Sequence, residues 1–295
     1  MTVKRRCTLE VEADIHEYRL SNASISVRWA AFTHTGLKRK LNEDTILARF
    51  PAFIVADGMG GHHAGDIASS IAIAAFDALP VNAIASDAAV QACVDAAFST
   101  VVDRFIEERN VGNGERVGGT TLSGASVINV DEVPHWLIVN VGDSRTYVLE
   151  DGQLEQVSVD HSVVQELIEE GLLTTLEARS HPQRNVITKA IGAGTESLPD
   201  YWVLPVSRGQ RLLVCTDGLS GEVDDAEIAR LLRTNSEARD AAQALFDAAI
   251  LGGARDNLSV IVVDVEAVAS TEHEFVTTAG GIDADTLPSV RRGLL

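Results

Sequence analysis

Acidic residues stand at the ends of several apolar, strand-like runs of this sequence. They are Asp57 after FIVA, Asp143 after LIVNVG, Asp217 after RLLVCT, Asp256 before NLSVIVVDV, and Glu43-Asp44 before TILARF. An ionised carboxylate at the edge of a buried strand is costly to desolvate without a partner. A single aspartate is explained by its preference for turns. The same feature at five boundaries predicts a shared chemical role.

The spacing of these acids predicts that they meet in pairs. Asp44 and Asp57 are nearly equidistant from Phe50-Pro51, a natural turn, so an antiparallel hairpin brings them to the same edge of a sheet. Asp217 at a strand end and Asp256 at a strand start meet in the same way if their strands are antiparallel neighbours. Clustered carboxylates repel one another unless a cation is shared.

Carboxylate oxygens are ligands for Mg²⁺ or Mn²⁺ rather than for zinc or copper. A pair of such ions generates a nucleophilic hydroxide and clamps phosphate oxygens. The residues by themselves therefore predict a metal-dependent hydrolase of phosphate esters, without saying which ester.

Composition narrows the class of protein. The formal net charge of the 295 residues is −19, which disfavours nucleic-acid binding because that depends on Lys and Arg neutralising phosphates. The charge has two interpretations, ordinary solubility or carboxylates gathered to hold cations. No apolar run of about 18 residues predicts a membrane span, the N-terminus lacks the apolar part of a signal peptide, and the three cysteines are scattered. We expect a cytoplasmic protein without membrane or nucleic-acid partners.

The elements that must position the acids come in blocks. Strands are predicted at 27–32, 45–50, 52–57, 120–130, 135–142, 145–150, 209–217 and 257–265, and helices at 64–79, 86–109, 162–171, 224–233 and 236–251. Because strands follow strands and helices follow helices, the pattern predicts an α+β fold of antiparallel sheets with helices packed outside. We expect an N-terminal extension at 1–25, one domain at 26–268, and a mobile C-terminal tail at 269–295.

One stretch, FIVADGMGGHHAGD at 53–66, joins a strand to a helix through glycines and two histidines. Glycine adopts backbone conformations that other residues avoid. We interpret Gly58, Gly60 and Gly61 as a tight turn that follows Asp57.

Taken together, several short blocks carry a family signature. In chain order they are THTGLKRKLNED (33–44), DGMGGH (57–62), GGTT (118–121), VGDSR (141–145), DHS (160–162), HPQRNVIT (181–188), CTDGL (215–219) and DN (256–257). Over roughly 28–265 the chain closely resembles the PPM, or protein phosphatase 2C, family of metal-dependent Ser/Thr protein phosphatases in its bacterial form. The resemblance implies a β-sandwich of two antiparallel sheets flanked by α-helices, with a two-ion Mg²⁺ or Mn²⁺ centre at one edge.

The resemblance also implies ligands for the metals. Asp57 corresponds to the residue that bridges both ions, with the Gly58 carbonyl completing one of them. Asp217 and Asp256 hold the other ion. Glu43 and Asp44 contribute directly or through water, and Asp143 matches, with Asp217, a weaker third metal site.

Substrate and proton-transfer roles follow from the same resemblance. Arg39 matches the arginine that binds the substrate phosphate, and its planar fork suits two phosphate oxygens. His62 is the candidate proton donor to the leaving alkoxide because imidazole titrates near working pH; a histidine that only fills space at the helix start is the alternative. His63 is expected to point elsewhere.

The expected activity is hydrolysis of phosphoserine and phosphothreonine in proteins by a metal-bridging water. The family further implies a Ser/Thr kinase and its substrates as partners. Two alternatives remain: a pseudophosphatase that serves as a binding or scaffold module, and a two-metal enzyme acting on small phosphate esters or nucleic acid.

Overall fold

The computed structural model describes residues 8–19, 23–60, 64–80, 84–110, 118–192 and 198–270. Within them the strands form two antiparallel sheets. The first has the strand order β1-β2-β12-β11-β8-β9: β1 Thr8–Arg19, β2 Ala23–His34, β12 Leu258–Ser270, β11 Arg211–Cys215, β8 Arg145–Glu150 and β9 Gln153–Gln156.

The second sheet has the order β10-β7-β6-β4-β3, with β5 paired to β4. Its strands are β10 Asp200–Pro205, β7 Val133–Val141, β6 Leu122–Val130, β4 Ala52–Gly60, β3 Asp44–Arg49 and β5 Gly118–Thr120.

Two helices pack on the outer face of each sheet, and shorter helices lie in the connections. The helices are α1 Ala64–Ala74, continued by a 3₁₀ turn at Ala75–Ala78, then α2 Asp87–Asn110, α3 Val163–Glu169, α4 Thr175–Ala178, α5 Asp217–Ser220, α6 Asp225–Thr234 and α7 Ala238–Gly252. In the described chain none of these helices is both long enough and apolar enough to span a bilayer.

The core lies in layers. Aromatic and aliphatic side chains of both sheets, among them Trp29, Phe53 and Trp136, pack between the sheets. A second cluster lies between the second sheet and α1 and α2, and a third between the first sheet and α6 and α7. The predicted α+β sandwich of two antiparallel sheets flanked by helices is confirmed.

Several element boundaries differ from the sequence prediction. β1 lies inside the stretch 1–25 that we treated as an N-terminal extension, and it pairs with β2 along most of its length. The alternation of Leu9, Val11, Ala13 and Ile15 is the strand signal that was missed, because acidic residues fill the intervening positions. β10 was also missed. Of the predicted C-terminal tail, residues 271–295 lie outside the described residues.

The predicted glycine turn after Asp57 is wrong at Gly58. β4 continues through Asp57 to Gly60, because β5 pairs with the extension: Gly58 is opposite Thr120 and Gly60 is opposite Gly118. The rest of the connection to α1, with Gly61, His62 and His63, lies outside the described residues.

Candidate metal centre

The β3–β4 hairpin brings the first pair of acids together. Asp44 is directly opposite Asp57 in the antiparallel register, and Arg49 is opposite Ala52 at the other end, where the chain turns through Phe50-Pro51. The equal spacing of both acids from this turn therefore sets the pairing, as the sequence predicts.

Asp44 also joins the two sheets. Its Oδ2 accepts hydrogen bonds from Ser259 Oγ (2.7 Å) and Thr216 Oγ1 (3.0 Å), both in or beside strands of the other sheet. Its Oδ1 is buried without a hydrogen-bond partner among the described residues. One oxygen of this carboxylate thus positions it, and the other remains as an acceptor.

The second pair of acids lies at the adjoining edge of the first sheet. β11 and β12 are antiparallel, with Cys215 opposite Val260, so Asp217 and Asp256 leave the sheet on the same side. The predicted strand over 209–217 ends at Cys215, and Asp217 is the first residue of the single-turn α5. A Cβ on Gly218 would lie 1.9 Å from the Asn257 carbonyl oxygen, so glycine permits these two segments to touch.

The acids perturb one another strongly. Burial raises the pKa of Asp44 to about 7, with Asp217 and Asp256 adding to the effect and the Ser259 and Thr216 hydrogen bonds opposing it. Burial, reinforced by the charge of Asp256, raises the pKa of Asp217 to about 6, against a hydrogen bond with Asp57. Such shifts are typical of carboxylates that have no cation to share.

Asp57 and Asp143 belong to the same electrostatic group. Burial raises the pKa of Asp57 well above its usual range, and the charges of Asp44 and Asp217 raise it further. Burial also raises the pKa of Asp143, with Asp217 as its strongest charged neighbour. The edges of both sheets therefore converge on one group of aspartates, of which Asp44 is buried and the others are half-buried.

Two glycines make room for this group. A Cβ on Gly58 would lie 2.1 Å from the Gly65 carbonyl oxygen and 2.5 Å from that of Glu43. A Cβ on Gly65 would lie 2.8 Å from Glu43 Oε1. Gly58 is therefore required for the close approach of β4 to the start of α1, and not for a turn.

Threonines hold the backbone on either side of Asp57. The Asp57 N–H donates to Thr121 Oγ1 (3.0 Å), and the Asp57 carbonyl accepts from Thr120 Oγ1 (3.0 Å). Thr121 Oγ1 also contacts Ser144 Oγ at 2.7 Å. Since Ser144 follows Asp143, this contact ties the Asp143 turn to the Asp57 strand.

Arg39 lies at the mouth of the group. Its Nη2 donates to Asp256 Oδ2 at 2.6 Å, and its side chain is 52% exposed. The hydrogen bond and charge of Asp256 raise the pKa of Arg39, with Asp57 and Glu43 contributing at longer range. The guanidinium thus lies between the acids and solvent, where it can contact an anion that approaches them.

Asn257 holds the segment that carries Arg39 and Glu43. Its Nδ2 donates to the Thr35 and Leu41 carbonyls (3.0 and 2.8 Å), and its Oδ1 accepts from the Glu43 N–H (2.9 Å). Both ends of the segment are therefore tied to the residue next to Asp256.

Sequence reasoning missed these supporting residues. Thr121, Thr216, Asn257 and Ser259 position the acids and touch no expected reacting atom. A polar residue beside each acid was the available signal: Thr216 precedes Asp217, and Asn257 follows Asp256. Which carboxylate each one contacts depends on the pairing between sheets.

Other residues of the blocks that carry the family signature make structural contacts. Arg145 makes a bidentate ion pair with Asp160, with a shortest distance of 2.7 Å, at the base of the Asp143 turn. His161 Nδ1 accepts from the Gly142 N–H (3.1 Å). Cys215 is fully buried against α5–α7, which raises the pKa of its thiol to about 12 and suits a core residue.

The group fits divalent cations by its chemistry. It offers hard oxygen donors, including Asp44 Oδ1 and Asp217 Oδ1, which are buried without a hydrogen-bond partner among the described residues. In the side-chain arrangement of the described residues, no three His, Cys, Asp or Glu side chains already form a ligand set.

A two-sheet sandwich with a buried aspartate group at one edge is the architecture of the PPM class of metal-dependent protein phosphatases. The model of the family described as Protein phosphatase 2C matches residues 40–252. The chain belongs to the protein phosphatase 2C family.

Among relatives, the chain is 35% identical over 284 residues to the serine/threonine protein phosphatase PstP of Mycobacterium tuberculosis, covering 93% of this chain and 52% of PstP. The chain thus spans about half the length of that relative.

Solved structures agree with the sequence comparisons. The crystal structure of the M. tuberculosis phosphatase PstP/Ppp superposes with a TM-score of 0.74 at 37% identity, covering 82% of this chain and 100% of that one. The catalytic domain of PstP in complex with two manganese ions superposes with a TM-score of 0.72 at 34% identity, covering 82% and 99%.

Proposed function

We propose that this chain is a metal-dependent protein serine/threonine phosphatase that hydrolyses phosphoserine and phosphothreonine in proteins. The observation that carries the proposal is the convergence of Asp44, Asp57, Asp143 and Asp217 where the edges of the two sheets adjoin. Their charges, with that of Asp256, raise one another's pKa, and a shared divalent cation would offset this repulsion. Its family membership supports the same reaction.

Mg²⁺ or Mn²⁺ is the proposed cofactor, held as two ions with a weaker third site. Asp57, the Gly58 carbonyl, Asp217 and Asp256 are the proposed principal ligands. Glu43, Asp44 and Asp143 complete the set. When bound, such ions supply a water of lowered pKa as the nucleophile and offset the negative charge of the phosphoryl group.

The chain's own residues bind and orient the substrate. Arg39 keeps its Nε and Nη1 donors clear of protein acceptors among the described residues, since only Nη2 engages Asp256. A guanidinium binds two phosphate oxygens through parallel N–H donors. Arg39 therefore orients the phosphate toward the acids and lowers the repulsion between a phosphate dianion and the carboxylates.

The leaving serine or threonine alkoxide requires a proton. His62, which precedes α1, is the proposed donor at the leaving oxygen. An unperturbed imidazole titrates near neutral pH, which suits proton transfer to an alkoxide. The phosphoprotein substrates, an opposing Ser/Thr kinase, a cytoplasmic location and the absence of nucleic-acid and membrane partners are further parts of this proposal.

The test is hydrolysis of p-nitrophenyl phosphate and a phosphothreonine peptide with Mn²⁺, followed by addition of EDTA. We expect turnover of both substrates with Mn²⁺, loss with EDTA, and loss in Asp57→Asn. Asp247→Asn, at an exposed position on α7, is the matched control and keeps full activity.

The outcome separates the alternatives. Binding of phosphopeptide without turnover of either substrate would favour the scaffold function and overturn the enzymatic one. Turnover of p-nitrophenyl phosphate without turnover of any phosphopeptide would instead assign the chain to small phosphate esters.

A further inference from the structure

A short loop beside the aspartate group carries consecutive cations on an otherwise acidic molecule. Residues 37–41, with the sequence LKRKL, are exposed, while the whole chain has a net charge of −19. Arg39 is the central cation and engages Asp256. Lys38 and Lys40 flank it on either side.

Lys38 and Lys40 supply the excess positive charge of this loop. In the described part of the chain neither lysine takes part in a hydrogen bond or an ion pair, whereas the charge of Arg39 is shared with Asp256. Unpaired exposed lysines next to a phosphate-binding arginine attract further negative charge near the phosphate.

The loop is held in place rather than free to move away. The Leu37 N–H donates to the Ala254 carbonyl at 2.7 Å. Gly36 has a φ of +75° and packs so closely that a Cβ there would lie 1.9 Å from the Asp256 carbonyl oxygen. Asn257 donates to the carbonyls of Thr35 and Leu41 on either side, so the backbone that carries both lysines is held beside Asp256.

The spacing of Lys38 and Lys40 from Arg39 suits contact with substrate side chains next to the phosphorylated residue. Neighbouring α-carbons are about 3.8 Å apart, so Lys38 and Lys40 start within one residue of Arg39. Residues one or two positions from a phosphothreonine lie at comparable distances from its phosphate. We propose that Lys38 and Lys40 are specificity-determining residues that select phosphoserine or phosphothreonine flanked by acidic side chains.

This inference rests on the proposed function and deepens it. The acidic remainder of the surface disfavours an acidic substrate elsewhere, because like charges repel. The lysine pair therefore restricts favourable approach of such a peptide to the mouth of the aspartate group.

The test measures a ratio of kcat/KM values on two peptides. Both peptides contain one phosphothreonine. In the first peptide the two residues before it and the two residues after it are Glu, and in the second peptide these four residues are Gln. The wild-type protein with Mn²⁺ is expected to prefer the Glu peptide at low salt. Each of Lys38→Gln and Lys40→Gln lowers the Glu/Gln ratio about two- to fivefold, which is the effect of one exposed ion pair.

A matched control removes a similar cation far from the loop. Arg208 is exposed, has no ion pair among the described residues, and precedes β11 at the end opposite Asp217. Arg208→Gln is expected to leave the ratio unchanged. In 0.5 M NaCl the wild-type preference also falls, since exposed charges are then screened over a few ångströms.

If the double variant K38Q/K40Q is active and its Glu/Gln ratio equals that of the wild-type protein, the inference about the lysines is overturned, while the proposed function stands. An equal fall in Arg208→Gln also overturns that inference, because net charge and not the loop would then be responsible. Wild-type protein that hydrolyses neither peptide nor p-nitrophenyl phosphate overturns the proposed function itself, and this inference with it.

Discussion

Replacing one carboxylate of the aspartate group should stabilise the metal-free protein while abolishing its activity. The perturbation is Asp217→Asn, which keeps the shape of the side chain and removes its charge. Burial and the charge of Asp256 raise the pKa of Asp217 from 3.8 to about 6. An asparagine amide carries no charge and can donate a hydrogen bond to Asp57, which an ionised carboxylate cannot.

The magnitude follows from that shift. Because the folded state binds the proton more tightly than the unfolded state, stability falls as the pH rises from 3.8 to about 6 and stays low above it. At about 1.36 kcal/mol per pH unit the full penalty is about 3 kcal/mol. We expect Asp217→Asn to recover about 1–3 kcal/mol at pH 8, since neighbouring acids share the repulsion. For a chain of this size that is a rise in Tm of about 2–6 °C.

The assay is thermal unfolding in EDTA over a pH series from 4.5 to 8. The gain in Tm is expected to be constant above about pH 7 and to shrink to about a third at pH 4.5. Mn²⁺ should raise the Tm of the wild-type protein more than that of the variant, because Asp217 is a proposed ligand. Phosphatase activity of the variant with Mn²⁺ should be lost.

A second Asp→Asn change serves as the control, because it is expected to lower the Tm where Asp217→Asn raises it. Asp160 forms a largely buried bidentate pair with Arg145. Asp160→Asn should therefore lower the free energy of unfolding at pH 8 by about 3 kcal/mol or more, and with it the Tm. If Asp217→Asn lowers the Tm at pH 8 in EDTA, as Asp160→Asn does, the carboxylates do not repel one another and the reasoning fails.

Three further changes test other parts of the site. Arg39→Ala should raise the KM for a phosphothreonine peptide about tenfold with a smaller change in kcat, as expected for loss of a charged hydrogen bond; steady-state kinetics showing an unchanged KM would exclude its phosphate role. Gly36→Ala should lower the Tm by more than Gly152→Ala, because both glycines have a φ near +75° but only Gly36 is crowded, by Asp256; equal losses in thermal unfolding would show that crowding is unimportant. His62→Gln should lower kcat about 100-fold and change the pH–rate profile without changing the Tm; an unaltered profile would leave His62 with a space-filling role.

The spacing of apolar residues along the chain predicted helices and strands well where that spacing was strongly periodic. The predicted helices 224–233 and 236–251 correspond to α6 at Asp225–Thr234 and α7 at Ala238–Gly252. The signal was weaker at β1, where acidic residues obscure the alternation. It misled at Gly58, because a glycine required by a neighbouring backbone has the same appearance in sequence as a glycine required by a turn.

The sequence by itself determined which groups are available and which local pairs form. Equal spacing about Phe50-Pro51 is enough to place Asp44 opposite Asp57, because hairpin register is a local property. The sequence also places carboxylates, and not thiols or imidazoles, at these strand ends, and carboxylate oxygens prefer hard cations.

The tertiary structure alone decided how the two pairs of acids combine. Only the packing of one sheet on the other brings Thr216 and Ser259 to Asp44, and Arg39 to Asp256. These contacts join residues more than 170 positions apart, and no periodicity along the chain encodes them. The same packing removes water from part of each carboxylate and brings their charges together, and both effects raise the pKa values of these aspartates.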